Sequence, residues 1–168
     1  FNATFQQHSV GYYMGTRDLL ARLADLDMLL QLQVAGDMLA RMMPLLDGTK
    51  VRLLVDHCGR PVVRDGLAQP GFQALLALGR SGRAAVKLSG YQKFSALPPP
   101  YDDTRPFLDA LLEAFTLDAC LWASDWPFLK APQRLDVGPL LRFVERLLPL
   151  QADRRKLFWE TPRRWLAF

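Results

Sequence analysis

Two side chains that can do acid–base chemistry stand just beyond apolar runs in this sequence. Asp125 closely follows the run at residues 119–123, and His57 follows the run at residues 51–55. A carboxylate can take a proton from water, and an imidazole can donate a hydrogen bond, shuttle a proton or bind a metal. Because α/β enzymes present catalytic groups at the carboxyl ends of buried strands, we predict that Asp125 and His57 are catalytic.

Further polar side chains lie near the ends of other apolar runs. Ser89, Tyr91 and Lys93 end or follow the run at residues 84–89, where hydroxyl and ammonium groups can meet an anionic substrate. Gln33 lies near the carboxyl end of the first run. We predict that Ser89, Tyr91 and Gln33 bind substrate.

We expect other roles for Asp56 and Lys87. Strand alternation points Asp56 away from His57, which favours a structural hydrogen-bonding role. Lys87 faces opposite to Val86 and Leu88. It is either paired inside a barrel or directed out among helices, and the sequence leaves both alternatives open.

Neither a metal site nor a nucleophilic triad can be read from the residues alone. His57 and Asp125 are two candidate ligands, whereas zinc takes three or four protein ligands. The sequence has no His-x-His pair and no Gly-x-Ser-x-Gly elbow.

Strand-like and helix-like segments alternate along the chain. Near-continuous apolar character predicts buried strands at residues 28–34, 51–55, 84–89 and 119–123. Helical spacing predicts helices at residues 37–46, 71–78, 105–115, 137–148, 151–159 and 162–168. One helix between each pair of strands indicates βα units and a parallel sheet.

Two α/β architectures accommodate four parallel strands: an open doubly wound sheet and part of a (βα)8 barrel. A nucleotide-binding open sheet should carry a glycine-rich turn after an early strand, but residues 79–82 follow a helix instead. A complete barrel needs about 250 residues, and the chain has 168. We therefore predict a partial (βα)8 barrel, with residues 1–168 as a single domain.

The composition of the chain limits the kinds of partner and location that we expect. Half of the residues are hydrophobic and 23% are charged, as in globular chains. The net charge is +4, but the basic residues are scattered, so we expect no nucleic-acid partner. Cys58 and Cys120 form no paired motif, which favours reduced thiols and a cytoplasmic location. No apolar run reaches the roughly 18 residues of a membrane span, and we expect a small-molecule substrate.

Three segments resemble strands six, seven and eight of the amidohydrolase superfamily. They are Val55-Asp56-His57-Cys58-Gly59-Arg60-Pro61, Val86-Lys87-Leu88-Ser89-Gly90-Tyr91 and Leu121-Trp122-Ala123-Ser124-Asp125-Trp126-Pro127. The nearest resemblance is to the amidohydrolase 2 group, which contains 2-pyrone-4,6-dicarboxylate lactonase. Phe1-Asn2 then resembles the exit of strand four, and residues 29–34 resemble strand five.

The resemblance implies a lactone hydrolase with a TIM barrel. Asp125 would activate water, and His57 would polarise the carbonyl or, with Asp125, bind zinc or another divalent metal. In the lactonase branch the reaction can run without a metal. Arg60, Ser89 and Tyr91 would hold a carboxylated lactone.

The chain also departs from the family pattern. The family's His-x-His pair belongs to strand one, and strands one to four are absent. Phe128 stands where the lactonase branch often has His, and Ala123 where Gly is usual. We expect this chain to be the C-terminal half of a longer hydrolase, inactive by itself. The alternative is a non-catalytic barrel fragment that serves as a binding or assembly module, its open apolar surface covered by a partner or a second copy in a homo-oligomer.

Overall fold

The fold is built on one parallel sheet with helices packed beside it. The computed structural model describes residues 1–5, 7–129, 131 and 134–168. The strands are β1 (Leu29–Leu32), β2 (Arg52–Val55), β3 (Ala84–Leu88) and β4 (Cys120–Trp122). They lie in the order β1-β2-β3-β4, and every neighbouring pair is parallel. The predicted βα arrangement is therefore confirmed.

One helix follows each of the first three strands. The helices are α1 (Val10–Tyr13), α2 (Arg17–Asp25), α3 (Met38–Leu46), α4 (Pro70–Arg80), α5 (Arg105–Phe115), α6 (Val137–Leu147), α7 (Gln151–Arg155) and α8 (Thr161–Leu166). A π-helical turn, Lys156–Glu160, joins α7 to α8. The sequence pattern did not predict the short helices α1 and α2. Among the described residues, no helix is long and apolar enough to cross a membrane.

The main core lies between the sheet and α3, α4 and α5. Alternate strand residues such as Leu53, Val55, Val86 and Leu88 point into it and are fully buried. Removing such side chains from water stabilises the fold by about 1.5–3 kcal/mol each. Burial of this face therefore fixes the register that places the strand ends side by side.

The opposite face of the sheet, which we call the inner face, carries a small apolar cluster and a polar network. Leu54, Ala85 and Leu121 form the apolar cluster. Nearby, Lys87 Nζ lies 2.9 Å from Asp56 Oδ1. Gln31 Nε2 donates to the other oxygen, Asp56 Oδ2, at 2.8 Å. Lys87 is therefore paired on the inner face, as in the alternative that placed it inside a barrel, and is not directed out among the helices.

Residues at the start of the chain extend the sheet beyond β1. Asn2 forms a parallel bridge with Gln33, and the Ala3 amide donates to the Gln33 carbonyl at 2.9 Å. The Gln33 amide donates in turn to the Phe1 carbonyl at 2.8 Å. This pairing matches the expectation that Phe1-Asn2 is the exit of a preceding parallel strand.

Candidate active site

The turns after β2 and β4 bring the two predicted catalytic side chains together. His57 Nε2 lies 3.4 Å from Asp125 Oδ1, although the two residues are far apart in sequence. Both have left-handed backbone conformations, with φ of 52° and 63°. Such conformations are uncommon for residues other than glycine, so the surrounding structure must hold them.

The imidazole of His57 is fixed from its other side. Its Nδ1 lies 3.0 Å from the hydroxyl of Ser89, which is buried at the end of β3. Gly90 follows with φ of 65°, and a Cβ at that position would lie 2.7 Å from His57 Nδ1. Burial is the main cause that lowers the pKa of His57, although Asp125 and Asp56 oppose it. The lowered pKa favours a neutral ring at neutral pH.

Asp125 is held by the turn Tyr91–Lys93, which follows β3. Gln92 Nε2 donates to Asp125 Oδ2 at 2.7 Å, and Lys93 Nζ lies 3.1 Å from the same oxygen. Because both partners contact Oδ2, the other oxygen is the one that faces His57. Sequence reasoning missed Gln92 altogether; its position beside Lys93 on the loop after β3 is the signal that could have identified it.

A cavity of about 420 Å³ opens over these side chains. Its walls come from the strand exits and from the segment after β4; they are Asn2, Thr4, Phe5, Gln33, His57, Arg60, Gln92, Lys93, Asp125, Trp126, Pro127, Leu129 and Ala131. Arg60 and Lys93 contribute positive charge to the cavity. Burial lowers the pKa of the Arg60 guanidinium, and Asp125 partly offsets that effect. Such a lining suits a small anionic molecule.

Two of the predicted substrate-binding residues do not line this cavity. The hydroxyl of Tyr91 donates to the Leu88 carbonyl at 3.0 Å, and burial raises the pKa of this tyrosine well above its ordinary value. Its ring packs against Tyr101 and Phe143 in the core. Ser89 is equally buried and contacts His57 instead. Both expectations need correction, because the turn after β3 directs these two side chains inward.

The residues of this site do not by themselves fit a zinc ion. Within the described part of the chain, no group of three or more His, Cys, Asp and Glu side chains could hold a metal. His57 and Asp125 supply two candidate ligands, and the ammonium of Lys93 lies on Asp125 Oδ2. Zinc sites use three or four protein ligands, and a fixed cation beside a ligand opposes a second one.

The parallel βα fold with an acid–imidazole pair at its strand exits is an arrangement typical of α/β enzymes. The amidohydrolase family model matches residues 4–168, and the chain belongs to this family. The sheet is accordingly half of a (βα)8 barrel, as the sequence predicted.

Named relatives are hydrolases of lactones and pyrones. The chain is 35% identical to 4-sulfomuconolactone hydrolase of Rhizobium radiobacter over 143 residues, which cover 83% of this chain and 48% of that protein. It is 30% identical to 2-pyrone-4,6-dicarboxylate hydrolase of Comamonas testosteroni over 122 residues, which cover 67% of this chain and 40% of that protein.

A solved structure shares the same architecture. The crystal structure of a putative 2-pyrone-4,6-dicarboxylic acid hydrolase from Pseudomonas putida superimposes with a TM-score of 0.79 at 28% identity. The match covers 90% of this chain and 56% of that chain. The chain thus spans about half the length of the relatives that it matches.

Proposed function

We propose that this chain carries one half of the active site of a lactone hydrolase, with Asp125 as the general base and His57 as its electrophilic partner. The observation that carries the proposal is the 3.4 Å approach of His57 Nε2 to Asp125 Oδ1 at the edge of a cavity. A water molecule and an ester carbonyl placed in that cavity are within reach of both groups. The family membership and the names of the relatives support the same reaction class.

The reaction follows from the two side chains. Asp125 takes a proton from water, and the resulting hydroxide attacks the carbonyl carbon of the lactone. His57, neutral because burial lowers its pKa, donates a hydrogen bond to the carbonyl oxygen as negative charge develops there. The ring C–O bond then breaks, and the proton held by Asp125 passes to the departing ring oxygen. Water is consumed, and the ring opens to an acid.

The substrate that we propose carries an acid group besides its ring. Arg60 and Lys93 place two cationic groups at the cavity, and Gln33 adds an amide. We assign Arg60 and Gln33 to substrate binding, with Lys93 as a further contact. The relatives' names describe a sulfonated lactone and a dicarboxylated pyrone, both of which are anionic. A carboxylate or sulfonate on the ring therefore fits the charge of this cavity.

We further propose that residues 1–168 are one domain, that the protein acts in the cytoplasm, and that turnover needs the half-barrel that the longer relatives contain. Among the residues that the structure describes, the sheet has four strands, so groups from a second half-barrel would complete the enclosure of the substrate. Gln31 is exposed on the inner face. This exposure supports a second candidate, a non-catalytic module that assembles with a partner or another copy.

Replacement of Asp125 tests the catalytic proposal. We expect Asp125→Asn to lower kcat for lactone opening by about 10²–10⁴-fold, the contribution of a positioned general base. The assay follows ring opening of a carboxylated lactone by the full natural protein that contains this chain. The control is Asp109→Asn, which alters an exposed carboxylate paired with Arg105 on α5. Wild-type kcat in a folded Asp125→Asn protein would overturn the proposal.

Measurements on the wild-type protein distinguish the two candidate functions. A catalytic protein opens the lactone, and its turnover depends on Asp125. An assembly module shows no turnover in the full natural protein, while light scattering reports a stable complex or a homo-oligomer.

A further inference from the structure

Ser89 carries a buried hydroxyl that takes no direct part in the proposed reaction. It ends β3, is 1% exposed, and lies too deep to line the cavity. Its Oγ lies 3.0 Å from His57 Nδ1. No other side chain within the described residues makes a hydrogen bond to this hydroxyl. Ser89 therefore acts on the site through His57 alone.

The direction of this hydrogen bond decides which ring nitrogen of His57 carries the proton. A hydroxyl needs an acceptor for its own hydrogen when it is buried. If Nδ1 were protonated, it would donate to Ser89 Oγ, and the serine hydrogen would find no acceptor among the described residues. If Nδ1 is unprotonated, the serine donates to it and both groups are satisfied.

The opposite side of the ring favours the same assignment. Asp125 Oδ1 lies 3.4 Å from His57 Nε2, and a carboxylate oxygen attracts an N–H and repels a lone pair. Gln92 and Lys93 hold the other oxygen of this carboxylate. Oδ1 is therefore kept facing the ring. Both neighbours of the imidazole thus place its hydrogen on Nε2.

We propose that Ser89 is a positioning residue that holds His57 as the neutral tautomer protonated on Nε2. This inference deepens the proposed function, on which it rests for its catalytic consequence. In this tautomer the Nε2–H faces Asp125 Oδ1 at the edge of the cavity, and it becomes a donor to an ester carbonyl once Asp125 takes the proton of water. The opposite tautomer would present a lone pair and polarise nothing.

The tautomer can be measured directly by 15N NMR of histidine-labelled full natural protein, with His57→Gln supplying the assignment. We expect Nε2 to resonate as the protonated nitrogen and Nδ1 as the unprotonated one. In Ser89→Ala we expect this separation to shrink, and in Ser89→Thr, which keeps the hydroxyl, we expect it to return. The control Ser81→Ala removes a serine hydroxyl that donates to the Leu78 carbonyl at the end of α4, and should change nothing.

A second measurement connects the tautomer to turnover. We expect Ser89→Ala to lower kcat about tenfold, the factor that one net hydrogen bond corresponds to, while KM changes little. A wild-type His57 protonated on Nδ1 overturns the inference, whether or not the variants fold. An unchanged tautomer in folded Ser89→Ala also overturns it. The expected tautomer in a protein that opens no lactone leaves the inference standing and rejects the proposed function.

Discussion

At the scale of single residues, the surroundings of His57 hold its ring from two sides. Its ring lies between the Ser89 hydroxyl and the Asp125 carboxylate, and it is 8% exposed. Desolvation by burial outweighs the nearby negative charges and lowers its pKa. Folding therefore favours the neutral ring, and protonation in acid must act against folding.

The stability of the protein should accordingly depend on pH through His57. Between the lowered pKa and the ordinary value of 6.5, the unfolded chain binds more protons than the folded chain. The free energy of unfolding should thus fall as pH falls through this window, by at most about 1.4 kcal/mol per pH unit. Denaturant unfolding at a series of pH values measures the slope.

The chain offers a matched control for this dependence, since His8 and His57 are its two histidines. We expect His57→Gln to flatten the slope below pH 6.5, and His8→Gln is the control for loss of a histidine outside the site. Equal slopes in wild type and His57→Gln would show that the lowered pKa of His57 does not contribute to acid sensitivity.

Residue identity was enough to predict the candidate catalytic pair, Asp125 and His57, but not the side chains that hold it. Asp125 and His57 could be selected because they lie close to the ends of apolar runs, where α/β enzymes present catalytic groups. The partners Gln92 and Ser89 could not be assigned in the same way. Their roles depend on the direction in which the turn after β3 points each side chain, and sequence spacing does not specify that direction.

At the scale of elements, the exits of the strands shape the site. The four residues from His57 to Arg60 all have positive φ, between 46° and 70°. This run turns the chain sharply at the end of β2 and leaves His57 facing Asp125. Gly90 forms the matching turn after β3, where its missing side chain makes room for the imidazole.

Addition of one methyl group at Gly90 should destabilise the protein and displace the ring of His57. Gly90→Ala places a Cβ 2.7 Å from His57 Nδ1 in a left-handed conformation, so we expect a loss of stability and a displaced ring. Gly82→Ala is the control, because Gly82 has φ of 70° and, its chain neighbours aside, no heavy atom of the described residues within 4 Å of an added Cβ. It should cost only the backbone strain, about 1–2 kcal/mol.

Thermal or denaturant unfolding of both variants gives the comparison, and the NMR signals of His57 report the ring. A Gly90→Ala protein no less stable than Gly82→Ala, with unchanged His57 signals, would contradict the close packing of Gly90.

At the scale of the whole molecule, the two faces of the sheet have opposite characters. One face is buried under helices in a continuous apolar core, and the inner face combines a small apolar cluster with the Lys87–Asp56 pair. The Lys87 and Asp56 side chains are 20% and 9% exposed. Their separation of 2.9 Å in this partly dry location should make the pair worth more than a surface ion pair.

Removal of one partner of this pair should therefore destabilise the chain. We expect Lys87→Met to cost about 2 kcal/mol, between the values for exposed and fully buried pairs, because Asp56 then keeps an uncompensated charge. The double variant Lys87→Met/Asp56→Asn should recover much of this loss, since no buried charge remains. Arg105→Met is the control, as it removes an exposed pair with Asp109, and should cost less than about 0.5 kcal/mol.

Denaturant unfolding of the three variants and wild type gives these free energies. Equal costs for Lys87→Met and Arg105→Met would show that the inner-face pair is as weakly coupled as a pair in water.

The sequence by itself determined the order of βα units, the parallel sheet, and the choice of Asp125 and His57, because apolar runs and the residues just after them are local features. Only the tertiary structure decided that Lys87 pairs inward, that Tyr91 enters the core, and that Ser89 and Gln92 contact His57 and Asp125. Those outcomes depend on backbone turns and on contacts between segments distant in sequence. Their geometry is set by packing of the whole sheet against its helices, and no local pattern encodes it.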